Sequence, residues 1–296
     1  MTLADILAPD AELRQLVGGL GFTEGPIWRD GRIEFTDIPA DAILTWSAKD
    51  GVTTVVNNAH FAIGLTVDHR GRRLACEHTT RRVTRTEPDG TVVVLARSLA
   101  GRVLNSPNDV VVRSDGSIWF TDPPFGVRVE DGELHGYQQA MELPYCGVYR
   151  VTDDVDAPEP VLTSLYRPNG LVFDRDERRL FVSDSSERFR TIFVCALEGE
   201  GLGPPEPFAV LPAGVPDGMA VDIEDRLYVA GLDGVYVYDT HAEEEQRLLG
   251  RIDVPEMVTN CCFGGPERRT LYITATSSLY AIDLDTVGCA VPKEPA

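Results

Sequence analysis

The sequence predicts an all-β fold: a six-bladed β-propeller in which residues 1–296 form one domain around a central channel. Two observations carry this prediction. One hairpin pattern recurs six times at intervals suited to four-stranded blades, and helical periodicity is weak almost everywhere. A third observation, oxygen-bearing side chains at the same place in most copies, gives the channel its expected chemistry.

In each copy a polar residue and a small residue open a short apolar strand, a polar turn follows, and a second apolar strand closes the hairpin. The clearest copy is Asn108-Asp109-Val110-Val111-Val112, then Arg113-Ser114-Asp115-Gly116, then Ser117-Ile118-Trp119-Phe120-Thr121-Asp122. Asp115-Gly116 is a hairpin signal, because glycine accepts the positive φ of a tight turn. The other copies open at Glu24, Ile63, Asn169, Asp217 and Asn260. Successive openings are separated by 39, 45, 61, 48 and 43 residues. A period in the forties built of strands is the spacing of propeller blades. A parallel α/β architecture would need amphipathic helices between the strands; only residues 3–8 or 11–16 suggest a short helix. The strand-like stretch at residues 13–17 is expected to complete the last blade beside residues 278–284, closing the ring. The longest interval carries its excess near residues 125–145, which contain Gly, Pro and charge without alternation. That excess reads equally as a functional loop or as a tolerated insertion.

Charge is lopsided: Lys plus Arg is 27 and Asp plus Glu is 47, a net −20. Such a chain repels nucleic acid and acidic membranes, and suits cations or a neutral small-molecule substrate. Residues 1–9 lack the basic and apolar regions of a secretory signal, and no run approaches the about 20 apolar residues of a membrane span. The six cysteines form no CxxC pair, and several sit in apolar strands. The expectation is a cytoplasmic protein with free thiols, either a monomer or a small homo-oligomer.

Equivalent repeat positions in a propeller lie on a circle around the channel. Glu24, Asn108, Asn169, Asp217 and Asn260 carry oxygen there, and Ile63 does not. Carboxylate and amide oxygens are the donors of a hard cation such as Ca²⁺ or Mg²⁺, and no Cys/His spacing suits a dedicated zinc site. The second strand of each hairpin ends in Asp37, Glu77, Asp122 and Asp184, with Ala230 and Ala275 in the last two copies. These acids are expected to orient the ring or to carry protons. Asn-Gly and Asp-Gly pairs are also ordinary turn punctuation, but turn chemistry does not require them to share one register.

Phe22-Thr23-Glu24-Gly25-Pro26, Asn105-Ser106-Pro107-Asn108-Asp109, Pro168-Asn169-Gly170-Leu171 and Pro216-Asp217-Gly218-Met219 resemble the signatures of the SMP-30/gluconolactonase/LRE family. Cys76-Glu77-His78 and Thr121-Asp122-Pro123-Pro124-Phe125-Gly126 resemble its bacterial gluconolactonase branch, and Thr259-Asn260-Cys261-Cys262-Phe263-Gly264-Gly265 is similar to its last blade. The resemblance implies a divalent metal in the channel, most often Ca²⁺ with Zn²⁺, Mn²⁺ or Mg²⁺ as alternatives. It implies Glu24, Asn169 and Asp217 as ligands, with Asn108 at the metal, at the substrate, or both. The implied activity is hydrolysis of sugar lactones, the metal polarising the carbonyl while Asp217, or alternatively Asp184, activates water. Asn108 and Asn260 become candidates for substrate hydroxyls, and His78 and Arg102 for further substrate contacts. Three positions depart from the family pattern: Ile63 replaces a common Asn, Ser106 stands where animal members have Arg, and Ala220 stands where some relatives have a further Asp. The alternatives are phosphotriester hydrolysis at the same metal, a metal-dependent isomerase or cyclase, and a calcium-binding scaffold without catalysis. No GxSxG elbow or nucleophilic triad competes with these.

Overall fold

A computed structural model of the chain describes residues 1–128, 135–152, 157–199 and 201–290. Strands dominate it; Leu3–Asp5 and Glu244–Gln246, single 3₁₀ turns, are the helical segments among the described residues. Residues 11–16 are therefore not a helix: Arg14–Val17 is a strand. No helix among the described residues is long and apolar enough to cross a membrane.

Six of the seven antiparallel sheets among the described residues are blades, one per repeat, and the seventh is a two-stranded ribbon, Ser98–Leu99 with Arg102–Val103. Blade 1 runs Thr23–Arg29, Arg32–Asp37, Ala42–Ser47, Gly51–Asn57, and blade 2 runs Ala62–Val67, Arg73–Glu77, Arg82–Thr86, Val92–Ala96. Blade 3 is Val110–Val112, Ile118–Asp122, Gly147–Val151, Glu159–Leu162. Blade 4 is Pro168–Phe173, Arg179–Asp184, Thr191–Glu198 and Glu206–Val210, with a small ribbon at Gly201–Leu202. Blade 5 is Met219–Val221, Arg226–Gly231, Gly234–Asp239, Leu248–Asp253. Blade 6 takes Val258–Gly264, Thr270–Ala275 and Ser278–Asp283 from the end of the chain and Arg14–Val17 from its beginning. Arg14 lies opposite Ala281 and Gln15 opposite Tyr280, which is the expected closure.

Burial follows position within the blade. Second strands such as Ile118–Asp122 are buried throughout, whereas the outermost strand of blade 1, Gly51–Asn57, is almost wholly exposed. A second strand has sheet on both sides and a neighbouring blade on each face. The apolar core is accordingly divided into six clusters among the described residues, one between each pair of adjacent blades. Aromatic pairs cross several of these seams: Trp119 meets Phe173 edge-on at 5.5 Å, Tyr228 meets Phe263 at 5.1 Å, and Trp28 stacks on Tyr272 at 5.6 Å. The six cysteines are free thiols.

Candidate active site

The ring residues open the inner strands, and their backbones are stitched from blade to blade. Thr36 Oγ1 donates to the Ile63 carbonyl at 3.1 Å, Thr121 Oγ1 to that of Asn169 at 2.7 Å, and Ser183 Oγ to that of Asp217 at 2.9 Å. Each hydroxyl comes from the second strand of one blade and fixes a ring residue of the next. The glycines after the ring residues serve the same contact. A Cβ on Gly64 would lie 2.3 Å from the Asn108 carbonyl oxygen, and one on Gly170 would lie 2.3 Å from that of Asp217. These glycines sit inside strands or at their start, so close approach between blades, rather than turn formation, is what requires them.

Some polar side chains of the ring meet one another; Glu24, Asn108, Asn169 and Asn260 are buried and Asp217 is half-buried. Asn260 Nδ2 donates to Glu24 Oε2 at 3.1 Å, and the Gly25 N–H donates to the same oxygen at 2.7 Å. Asn260 Oδ1 accepts from the Cys261 N–H at 2.8 Å. Both ends of this amide are engaged, so its place in the structure is that of a holder for Glu24. Asp217 has its Oδ1 sealed from solvent without a hydrogen-bond partner, and the Gly218 N–H beside it donates to the Thr259 carbonyl at 2.9 Å.

Charge repulsion marks the site. Burial raises Glu24 to about 7, with the Asp109 carboxylate adding to the rise. Asp217 is raised well above its ordinary value by burial and by the charges of Glu24 and Asp109. Asp109 itself is pushed up to about 7 by burial, although Val110 N–H donates to it at 2.9 Å. Three carboxylates thus feel one another in a poorly solvated channel. Asp109 is the residue that sequence reasoning missed. Its signal was present: in the repeat position that is glycine in four blades, blade 3 places an acid.

The donors are carboxylate and amide oxygens, one of them an orphaned buried carboxylate oxygen, and the ring carries excess negative charge. These features fit a hard divalent cation. Among the described residues no three His, Cys, Asp or Glu side chains cluster at metal-ligand distance. A cation here would therefore need the amides of Asn108 and Asn169 together with Glu24 and Asp217.

The acids closing the second strands behave as clamps. Asp37 accepts from the N–H groups of Gly21 and Phe22 at 3.1 and 3.2 Å. Asp122 accepts from those of Asn105 and Ser106, both at 2.8 Å. Asp184 accepts from Tyr166 at 2.7 Å, Arg167 at 3.3 Å and Ser186 at 3.0 Å. Each holds the chain segment leading into the inner strand of its own blade. Glu77 differs, pairing with Arg82 at 2.6 Å.

Of the other candidates, His78 is fully buried beside the long connection that follows Asp122. Its Nδ1 lies 2.8 Å from the His135 carbonyl, so Nδ1 carries the proton, and burial pushes the imidazole down to about 3. Its Nε2 is left without a partner. The same connection places His135 4.8 Å from Phe22 and Tyr137 5.7 Å from Phe61. It therefore reaches back across the ring side of blades 2 and 1, although residues 129–134 of the suspected loop at 126–145 lie outside the described residues. Ser106 donates to the Pro123 carbonyl at 2.6 Å and accepts from Gly126 N–H at 3.0 Å, anchoring the base of this connection. Arg102 is exposed on the two-stranded ribbon Ser98–Leu99/Arg102–Val103 between blades 2 and 3, and no described contact joins its side chain to the channel.

Glu24, Asn108, Asn169 and Asp217 stand at or just before the openings of four inner strands of a six-bladed propeller. Residues 22–277 match the model of the SMP-30/gluconolactonase/LRE-like region, and the chain belongs to that family. It is 28% identical to a gluconolactonase of Zymomonas mobilis, over 96% of this chain and 84% of the relative. It is also 28% identical to the pentonolactonase XacC of Haloferax volcanii, over 85% of this chain and 80% of that one. The solved structure of a gluconolactonase from Xanthomonas campestris is similar with a TM-score of 0.87 at 34% identity, covering 95% of this chain and 92% of the other.

Proposed function

We propose that this protein is a divalent-metal-dependent lactonase that opens small sugar lactones at the channel ring. The observation that carries the proposal is the set of buried Glu24, Asn108 and Asn169 with half-buried Asp217, in a family whose relatives include a gluconolactonase and a pentonolactonase. A cation at these residues, Ca²⁺ by the hardness of the donors, would supply a Lewis acid for the lactone carbonyl. Its charge would also relieve the repulsion between Glu24 and Asp217.

The chain's own residues have separate tasks. Asn260 and the Gly25 N–H hold Glu24 in place. Asp217, whose Oδ1 is buried without a partner, is the general base. It takes a proton from water as the water oxygen bonds to the lactone carbon, and returns that proton to the ring oxygen as the carbon–oxygen bond breaks. The product is the open hydroxy acid. The neutral amide of Asn108 would serve a substrate hydroxyl as well as the cation. The connection carrying His135 and Tyr137 limits access of water from the ring side.

The test is hydrolysis of glucono-δ-lactone, read by acid release, with protein stripped by EDTA and then resupplied with Ca²⁺. Activity falls on stripping and returns with the ion. Glu24→Gln and Asp217→Asn each lose about 10²-fold or more in kcat/KM, with far-UV circular dichroism unchanged. Full activity in both variants would remove the proposed site.

A further inference from the structure

Beyond the ring, on the side of the hairpin turns, the channel widens into a cavity of about 380 Å³ walled by Ile27, Leu65, Val112, Phe173, Val221 and Phe263. Asp109 stands at its ring end, and Arg175, Arg268 and Cys289 line the other. Arg268 is the unusual member. Its guanidinium is partly buried beside Cys262 and Cys289, and burial lowers its pKa. Among the described residues it has no ion-pair partner and no side-chain hydrogen bond.

Its backbone is fixed. The Arg268 N–H donates to the Gly265 carbonyl at 3.1 Å, and the Gly288 N–H donates to the Arg268 carbonyl at 2.9 Å. The acids at the same mouth are committed elsewhere: Asp174 pairs with Arg179 at 2.8 Å, and Glu177 accepts from the Ser114 N–H at 2.8 Å and faces Arg113 at 3.5 Å. Arg175 donates to the Ile223 carbonyl at 2.9 Å. A partly desolvated cation at the rim of an apolar cavity lacks the carboxylate that such a group ordinarily has.

We propose that this cavity is a second binding site, taking a small amphiphilic monocarboxylate with its head on Arg268 and its alkyl tail among Val112, Phe173 and Val221. Two features select this chemistry. The walls are apolar, so a ligand must bring hydrophobic surface to match them. One unpaired guanidinium matches one carboxylate, whereas a multiply charged head would meet Asp174 and Glu177 in a protein of net charge −20. The place of Arg268, at the mouth away from the ring, sets the polarity of binding. The proposal does not depend on the lactonase reading, and binding is measured without turnover.

The experiment is isothermal titration calorimetry with sodium octanoate and with 1-octanol, on the wild-type chain and on Arg268→Gln. Octanoate binds the wild type, and octanol binds it at least about tenfold more weakly. Arg268→Gln loses at least about tenfold in octanoate affinity, while its hydrolysis of glucono-δ-lactone is unchanged. Equal affinity for acid and alcohol, an unaffected variant, or absence of octanoate binding would each overturn the site. So would competitive displacement of octanoate by a lactone, which would place the carboxylate at the ring. The comparison of acid with alcohol on the wild type stands even if the variant does not fold.

Discussion

Asp184 is buried and Asp217 half-buried on the ring side of the channel, and their hydrogen bonding differs. Asp184 has both oxygens occupied by three backbone N–H groups, as Asp122 does by two. Asp217 keeps a free oxygen. Asp184→Asn is therefore expected to lower stability by about 1–3 kcal/mol in urea unfolding while kcat/KM stays within about tenfold of the wild type; loss of nearly all activity with stability intact would instead make it the base. The raised carboxyls give a second prediction. Glu24, Asp109 and Asp122 keep their protons to about 7 when folded, against 4.5, 3.8 and 3.8 for the free side chains. Between about pH 4 and 7 the folded state binds more protons than the unfolded chain, so cation-free protein loses stability as pH rises through that window. Ca²⁺ flattens the part of that slope due to Glu24 and Asp217. Urea melts at pH 5 and 7.5, with EDTA and with Ca²⁺, read both effects; a flat profile in EDTA would contradict the raised values.

A blade delivers its ring residue through contacts with the next blade. The Thr and Ser hydroxyls of second strands reach the carbonyls of ring residues one blade on, and the glycines after the ring residues let the inner strands touch. Gly170→Ala places a methyl group 2.3 Å from the Asp217 carbonyl oxygen, a backbone atom that cannot step aside alone. The expected cost is about 1–3 kcal/mol, and kcat/KM falls with it because Asp217 moves with blade 5. A variant with normal stability and activity would show that the inner strands tolerate separation. The Asp clamps are the other device at this scale. They hold the turn-rich crossings into blades 1, 3 and 4 without regular sheet pairing, where backbone donors would otherwise be left over.

Closure of the ring joins the two ends of the chain. Arg14–Val17 supplies the outer strand of blade 6, and Ile6, 1% exposed, packs into the cluster between blades 5 and 6. The Asp285 N–H donates to the Ile6 carbonyl at 2.7 Å. Ile6→Ala is expected to cost about 2–5 kcal/mol, measured by urea unfolding, even though it lies outside every repeat copy. The Arg14–Asp283 pair at 2.8 Å is about half exposed on both sides and adds little. The net charge of −20 acts on the same scale and suits the proposed cation at the ring and a neutral substrate.

Strand period, repeat spacing and the register of Glu24, Asn108, Asn169, Asp217 and Asn260 were legible in the sequence, because each depends on neighbours along one strand or on a count of residues between strands. The closing strand was legible for the same reason. That Asn260 holds Glu24, that Asp184 accepts from three backbone N–H groups, and that Asp109 shares the field of Glu24 and Asp217 come from the tertiary structure. Each depends on which side chains from different blades meet across the channel, and on how much water remains between them. The glycines show the division most clearly. Read along the chain they look like turn residues, and only the packing of one blade against the next gives their missing Cβ atoms a purpose.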